Sequence, residues 1–146
     1  MQKYQRILLY LFVLAASAVW IALSASATTA TGATSAPQAG FASPDFTLKT
    51  TNGEEYTLSE LKGSAVLVNL WATWCPPCRA EMPAIEKMYK EYKDQGLVVL
   101  AVDMTYQDNP ADVPPFIQKY GLTFPVLLDE AGTVGAAYQL RSLPSS

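Results

Sequence analysis

Cys75 and Cys78 are the only cysteines in the chain, two residues apart in "WATWCPPCRAEMP" (71–83), and the chain has no histidine. Without histidine there is no Cys-His or Ser-His nucleophile pair and no imidazole general base. Two thiolates alone do not complete a four-ligand zinc site, and a c-type haem signature would need a histidine where Arg79 stands. What remains is thiol–disulfide redox chemistry or a structural bridge. A bridge here closes so short a loop that it constrains the unfolded chain little, so the spacing points to redox chemistry. No metal and no cofactor is expected.

The local pattern assigns different parts to the two sulfurs. A strand ending at Leu70 and a helix beginning at Pro76 place Cys75 at the helix N-cap. There, unpaired amide hydrogens and the positive end of the helix dipole favour a thiolate, so Cys75 is the expected attacking sulfur. Cys78, inside the first turn, is the expected resolving thiol. Pro76 at the first helical position costs nothing. Pro77 deletes the next amide hydrogen, leaving mainly the amide of Cys78 to stabilise the Cys75 sulfur. A less stabilised thiolate makes a more reducing couple, nearer roughly −270 mV than roughly −120 mV on the dithiol scale. Glu81, one turn beyond Cys78, is placed to take the resolving thiol's proton. Trp74 is expected to wall the site, Trp71 to be core or wall, and Pro83 to kink the helix.

The elements that must carry these residues are short and alternate. Phe46 to Lys49 and Glu55 to Thr57 read as strands around an Asn52-Gly53 turn, and Ser59 to Lys62 as one helical turn closed by Gly63. Ala65 to Leu70, "AVLVNL", reads as a strand buried on both faces. From Cys78, apolar residues recur every three or four positions through Met82, Ile85 and Tyr92, an amphipathic helix ending at Gly96. Val98 to Val102 and Phe124 to Leu128 are further buried strands, separated by a helix around Val113 to Tyr120 that Gly121 stops. The alternation predicts an α/β fold with a mostly parallel sheet.

Ahead of this domain (41–146), Lys3 and Arg6 precede seventeen uncharged residues, Ile7 to Leu23. Residues 1–23 read as a signal peptide, for which Ala25-Ser26-Ala27 offers a cleavage site, or as a short membrane anchor. Either way the basic start keeps the amino end cytoplasmic and exports the rest. Residues 24–40 are small and polar, a flexible linker. A net charge of −3, with ten basic residues scattered among thirteen acids, supplies no basic stripe, so no nucleic-acid partner is expected.

The stretch "VNLWATWCPPCRAEMP" (68–83) resembles the active-site signature of the TlpA/ResA-like membrane-anchored thiol-disulfide oxidoreductases of the thioredoxin-like superfamily. The similarity runs back through "SPDFTLKTTNGEEYTLSELKG" and forward through "FPVLLDEAGTVGAAYQLRSLPSS". The resemblance implies a thioredoxin-like fold with an N-terminal β extension and a central insertion at Asp108 to Tyr120. It also implies Cys75 as nucleophile, Cys78 as resolving thiol, Glu81 as active-site acid, and Pro144 as the cis-proline that faces the disulfide and helps present the substrate backbone. Its implied partners are exported thiol or disulfide proteins, such as cytochrome c apoproteins before haem attachment, with a membrane electron donor to the dithiol, on the periplasmic or outer side of the membrane. In the family a hairpin and a helix follow the cis-proline, so these are expected to be missing here, leaving "AVLVNL" as an exposed edge. The alternatives are a peroxiredoxin-like peroxidase, a Cu(I)-binding protein using both cysteines, and an inactive truncated fragment. The peroxidase pattern has proline seven and threonine three residues before its cysteine; here those positions hold Val68 and Ala72.

Overall fold

A computed structural model describes residues 35–146; the apolar segment 7–23 and most of the linker 24–40 lie outside the described residues. The domain's strands are β1 (Thr47–Thr50), β2 (Glu55–Thr57), β3 (Ala65–Trp71), β4 (Leu97–Asp103) and β5 (Val126–Leu128), and its helices are α1 (Pro76–Tyr92), α2 (Val113–Tyr120) and α3 (Thr133–Ala137). They form one sheet in the order β2-β1-β5-β4-β3.

Three strands at the centre of the chemistry are parallel. β3 runs beside β4 from Ala65↔Leu97 to Trp71↔Asp103, and β4 beside β5 from Ala101↔Val126 to Asp103↔Leu128. β1 is antiparallel to both β5 and β2, so the sheet is mixed rather than mostly parallel. β5 is shorter than its apolar run because Pro125, which has no N–H, stands just before it; its carbonyl still accepts from Ala101 N–H at 3.0 Å.

β4 is the interior strand, and its alternating side chains feed two core layers. Val99 and Ala101 join Trp71, Cys75, Cys78, Met82, Ile85 and Phe116 on the face covered by α1 and α2. Leu100 and Val102 join Leu70, Met104, Leu127 and Val134 on the other. β3 is buried only in its second half: Ala65 is exposed, Val66 to Val68 are half-buried, and Asn69 to Trp71 are buried. The expectation of burial on both faces fails for its first half because β3 lies at an edge. Among the described residues its outer side meets only a single antiparallel bridge, Leu70 with Ser145.

Helix α1 runs from Pro76 without interruption through Pro83 to Tyr92, and a 3-10 turn at Lys93–Gln95 leads to the left-handed Gly96. Glu86 binds it to the loop before β5: its carboxylate accepts from Thr123 N–H at 2.8 Å and Thr123 Oγ1 at 2.7 Å, and pairs with Lys90 at 2.9 Å. Burial raises the Glu86 pKa, but the bonds from Thr123 and Lys90 outweigh it and hold the group below its ordinary value. Helix α3 was not foreseen. It is ordered from outside by the buried Asp129, whose Oδ2 accepts from the N–H groups of Val134 and Gly135 at 3.1 and 2.9 Å.

Candidate functional site

The site forms where β3 ends and α1 begins. Cys75 is the N-cap of α1, with extended backbone angles (φ −79°, ψ 111°), and the Cys78 N–H donates to its Sγ at 3.3 Å. Pro76 and Pro77 bring no N–H to this cap, so among the described residues that amide is the one backbone donor to the sulfur. Cys75 and Cys78 are joined in a disulfide with Cα atoms 5.3 Å apart. Both are nearly inaccessible, at 2% and 0% exposure, yet they are not equivalent. A groove of about 350 Å³ reaches Cys75 and not Cys78; it is lined by Trp74, Cys75, Pro76 and Pro77 together with Tyr106, Gln107 and Leu140 to Leu143.

The two tryptophans divide. Trp71 is fully buried, its ring 4.6 Å from that of Phe116. Trp74 is 51% exposed on the groove wall, held by a hydrogen bond from its indole Nε1 to the Gln107 carbonyl at 3.1 Å. The backbone before the nucleophile position is clamped from the same side. Asp108 accepts from Thr73 N–H at 2.5 Å and Thr73 Oγ1 at 2.7 Å, and Met104 N–H donates to the Trp71 carbonyl at 2.9 Å. Thus the segment after β4 fixes residues 71–74, and with them the direction of Cys75.

One helical turn beyond Cys78, Glu81 is half-buried on α1 and accepts from Asn69 Nδ2 at 2.8 Å. The same amide also donates to Ser146 Oγ at 3.0 Å, and Asn69 Oδ1 is buried without a partner among the described residues. Asn69 was missed in the sequence because it sits inside an apolar strand; the signal was its being the only polar residue of "AVLVNL". Leu143–Pro144 is cis, and the pair of bonds between Leu70 and Ser145, 2.7 and 3.1 Å, docks this turn against the end of β3. The structure therefore places Cys75, Cys78 and Trp74 at the start of α1, Glu81 one turn further along it on Asn69, and Pro144 directly after the groove-lining Leu143. Met104 is fully buried in the opposite core layer from the two sulfurs.

A second carboxylate was also missed. Asp103, at the end of β4, is fully buried; its Oδ1 accepts from Thr105 Oγ1 at 2.9 Å, while Oδ2 has no partner among the described residues. Burial pushes its pKa from 3.8 up to about 8; the Thr105 bond pulls it down and the neighbouring Asp108 carboxylate pushes it further up. Burial thus holds the proton on Asp103 to higher pH than on an ordinary carboxyl.

Residues 39–145 match the AhpC/TSA family. The chain is 48% identical over 110 residues to thioredoxin-like protein YneN of Bacillus subtilis, covering 75% of this chain and 64% of that protein. It is 41% identical over 109 residues to thiol-disulfide oxidoreductase ResA of Halalkalibacterium halodurans, covering 75% of this chain and 61% of that one. The chain thus spans about three fifths of the length of these curated relatives. Among solved structures, a secreted disulfide oxidoreductase of Mycobacterium tuberculosis, homologous to Escherichia coli DsbE, superposes with a TM-score of 0.62 at 25% identity, covering 68% of this chain and 71% of that one.

Proposed function

The chain belongs to the AhpC/TSA family, as a ResA-like member of thioredoxin-like fold, and on that premise we propose that it is an exported thiol-disulfide oxidoreductase that reduces disulfides of extracytoplasmic proteins. The observation that carries this reading is the asymmetry of the pair: Cys75 lines the groove and Cys78, fully buried, does not. In the reduced state the Cys75 thiolate attacks one sulfur of a partner disulfide. A Cys75–partner bond forms and the partner's other sulfur leaves as thiolate. Cys78 then gives its proton to the Glu81 carboxylate and attacks Cys75 Sγ. The Cys75–Cys78 bond forms, the bond to the partner breaks, and the second partner sulfur departs as thiolate. Two electrons pass to the partner, whose thiolates take protons from solvent and Glu81. Trp74 and the turn carrying Pro144 present the substrate backbone between them.

Asn69 supports the role of Glu81 by holding one carboxylate oxygen at 2.8 Å beside the helix start. A dithiol donor at the membrane restores the reduced pair, and residues 7–23 target or anchor the chain to that membrane. Cytochrome c apoproteins, whose paired cysteines must be reduced before haem attachment, are the partner class that the ResA-like resemblance favours. Family membership does not bring a peroxidase site with it, since Val68 and Ala72 stand where that pattern has proline and threonine. The test is trapping: the reduced full chain carrying Cys78→Ser, mixed with a disulfide-containing protein, is expected to accumulate a mixed disulfide through Cys75. The Cys75→Ser chain is expected to accumulate none, and equal trapping by both would refute the assignment.

A further inference from the structure

The groove that reaches Cys75 has an electrostatic character that the redox reading does not use. Of its ten lining residues one is charged, Arg141, and no carboxylate lines it. Arg141 is exposed, and among the described residues it has no carboxylate within 4.0 Å; the ion pair there is Lys90 with Glu86, on α1. The nearby cation Arg79 is already engaged, donating from Nη2 to the Trp74 carbonyl at 3.0 Å. The acids closest in sequence to the groove's Tyr106 and Gln107 are not among its lining residues. Asp108 is turned to Thr73, accepting both its N–H and its hydroxyl, and Asp103 is fully buried; neither lines the groove. In a chain of net charge −3, the one charged side chain lining the approach to Cys75 is a cation.

The rest of the groove suits a peptide. Trp74 and Tyr106 are 51% and 50% exposed and offer aromatic walls. Tyr106 is backed by Gly132 and Gly135, where a Cβ would come within 3.2 and 3.7 Å of its ring, so the ring stands toward the groove on a close-fitting support. Arg141 lines the same groove, three residues before Pro144.

We propose that Arg141 is a specificity-determining residue that selects protein segments carrying a carboxylate side chain beside the reacting disulfide. The proposal rests on the thiol-disulfide reading above and names its substrate class. A guanidinium at the wall of a groove attracts an acidic flank and disfavours a basic one, an effect on encounter and positioning more than on the sulfur chemistry itself. For a single exposed pair the preference is about 1.5- to 5-fold in kcat/KM.

The experiment uses the full chain, kept reduced by dithiothreitol, and two peptides with the same internal disulfide, one flanked by glutamates and one by lysines. The readout is the ratio of their kcat/KM values within each variant, so that changes in overall rate cancel. The expected result is a preference for the acidic peptide that shrinks with added salt, falls to near unity in Arg141→Ala and inverts in Arg141→Glu. A ratio near unity in the unaltered chain, or a ratio that Arg141→Glu leaves in place, would overturn the proposal while leaving the redox reading intact. Failure of the reduced chain to reduce either peptide would overturn both.

Discussion

Replacing Asp103 with asparagine is expected to make the domain more stable at neutral pH, and by an amount that depends on pH in a defined direction. The native pKa of about 8 lies above the ordinary value of 3.8, so between these values the folded chain holds a proton that the unfolded chain releases. Stability associated with this group is therefore fully present below the ordinary value and falls as pH rises, by up to about 1.4 kcal/mol per pH unit, until the native group ionises near pH 8. From pH 4 to pH 7 that amounts to about 4 kcal/mol at most, and about 2–4 kcal/mol once the compactness of the unfolded chain is allowed for. Asparagine has nearly the same shape, keeps an acceptor for Thr105 Oγ1, and does not ionise. Urea unfolding of the disulfide-bonded full chain in mild detergent, at pH 4, 6 and 8 and constant ionic strength, measures the difference. Asp103→Asn should match the unaltered chain near pH 4 and exceed it increasingly toward pH 8. A difference that is constant across this range would show that Asp103 does not carry a raised pKa, and an Asp103→Asn chain less stable at pH 8 would show that its carboxylate is needed there.

Other substitutions separate the parts of the account. Glu81→Gln should slow resolution of the mixed disulfide by about 100-fold or more while sparing its formation, because only the second step passes a proton to this group; rapid-mixing single turnovers resolve the two. Glu86→Ala should cost about 2–3 kcal/mol in urea unfolding at pH 7 through its lost bonds to Thr123. Since the native pKa of Glu86 is depressed, this loss should be largest above the ordinary carboxylate range and diminish as pH falls through the native value. Met82→Ala, in the fully buried face of α1, should destabilise by about 2–5 kcal/mol, seen as a lowered urea midpoint with unchanged slope.

The parts of the fold legible in the sequence were those with local causes. β3, β4 and α1 announced themselves through apolar runs and a 3.6-residue period, and the Pro-Pro cap predicted that the Cys78 amide would be the donor facing Cys75. Pairings between distant segments were not legible. Nothing in "FTLK" says that β1 lies antiparallel to β5. Five small residues gave no period for α3, whose order comes from Asp129. The same limit applies at the site: Asn69 meets Glu81 across twelve residues and Asp108 meets Thr73 across thirty-five, contacts that only the folded sheet creates. Trp71 and Trp74 look alike in sequence, and the turn of the chain at the end of β3 sends one into the core and the other to the groove.

The central claim is that Cys75 and Cys78 act as one reducing dithiol, and the reduction potential of the pair tests it most directly. Thiol trapping of the full chain across a series of dithiothreitol and glutathione buffers should give a single two-electron transition nearer roughly −270 mV than roughly −120 mV. A transition at the oxidising end, or two thiols that react independently with no shared transition, would contradict the claim.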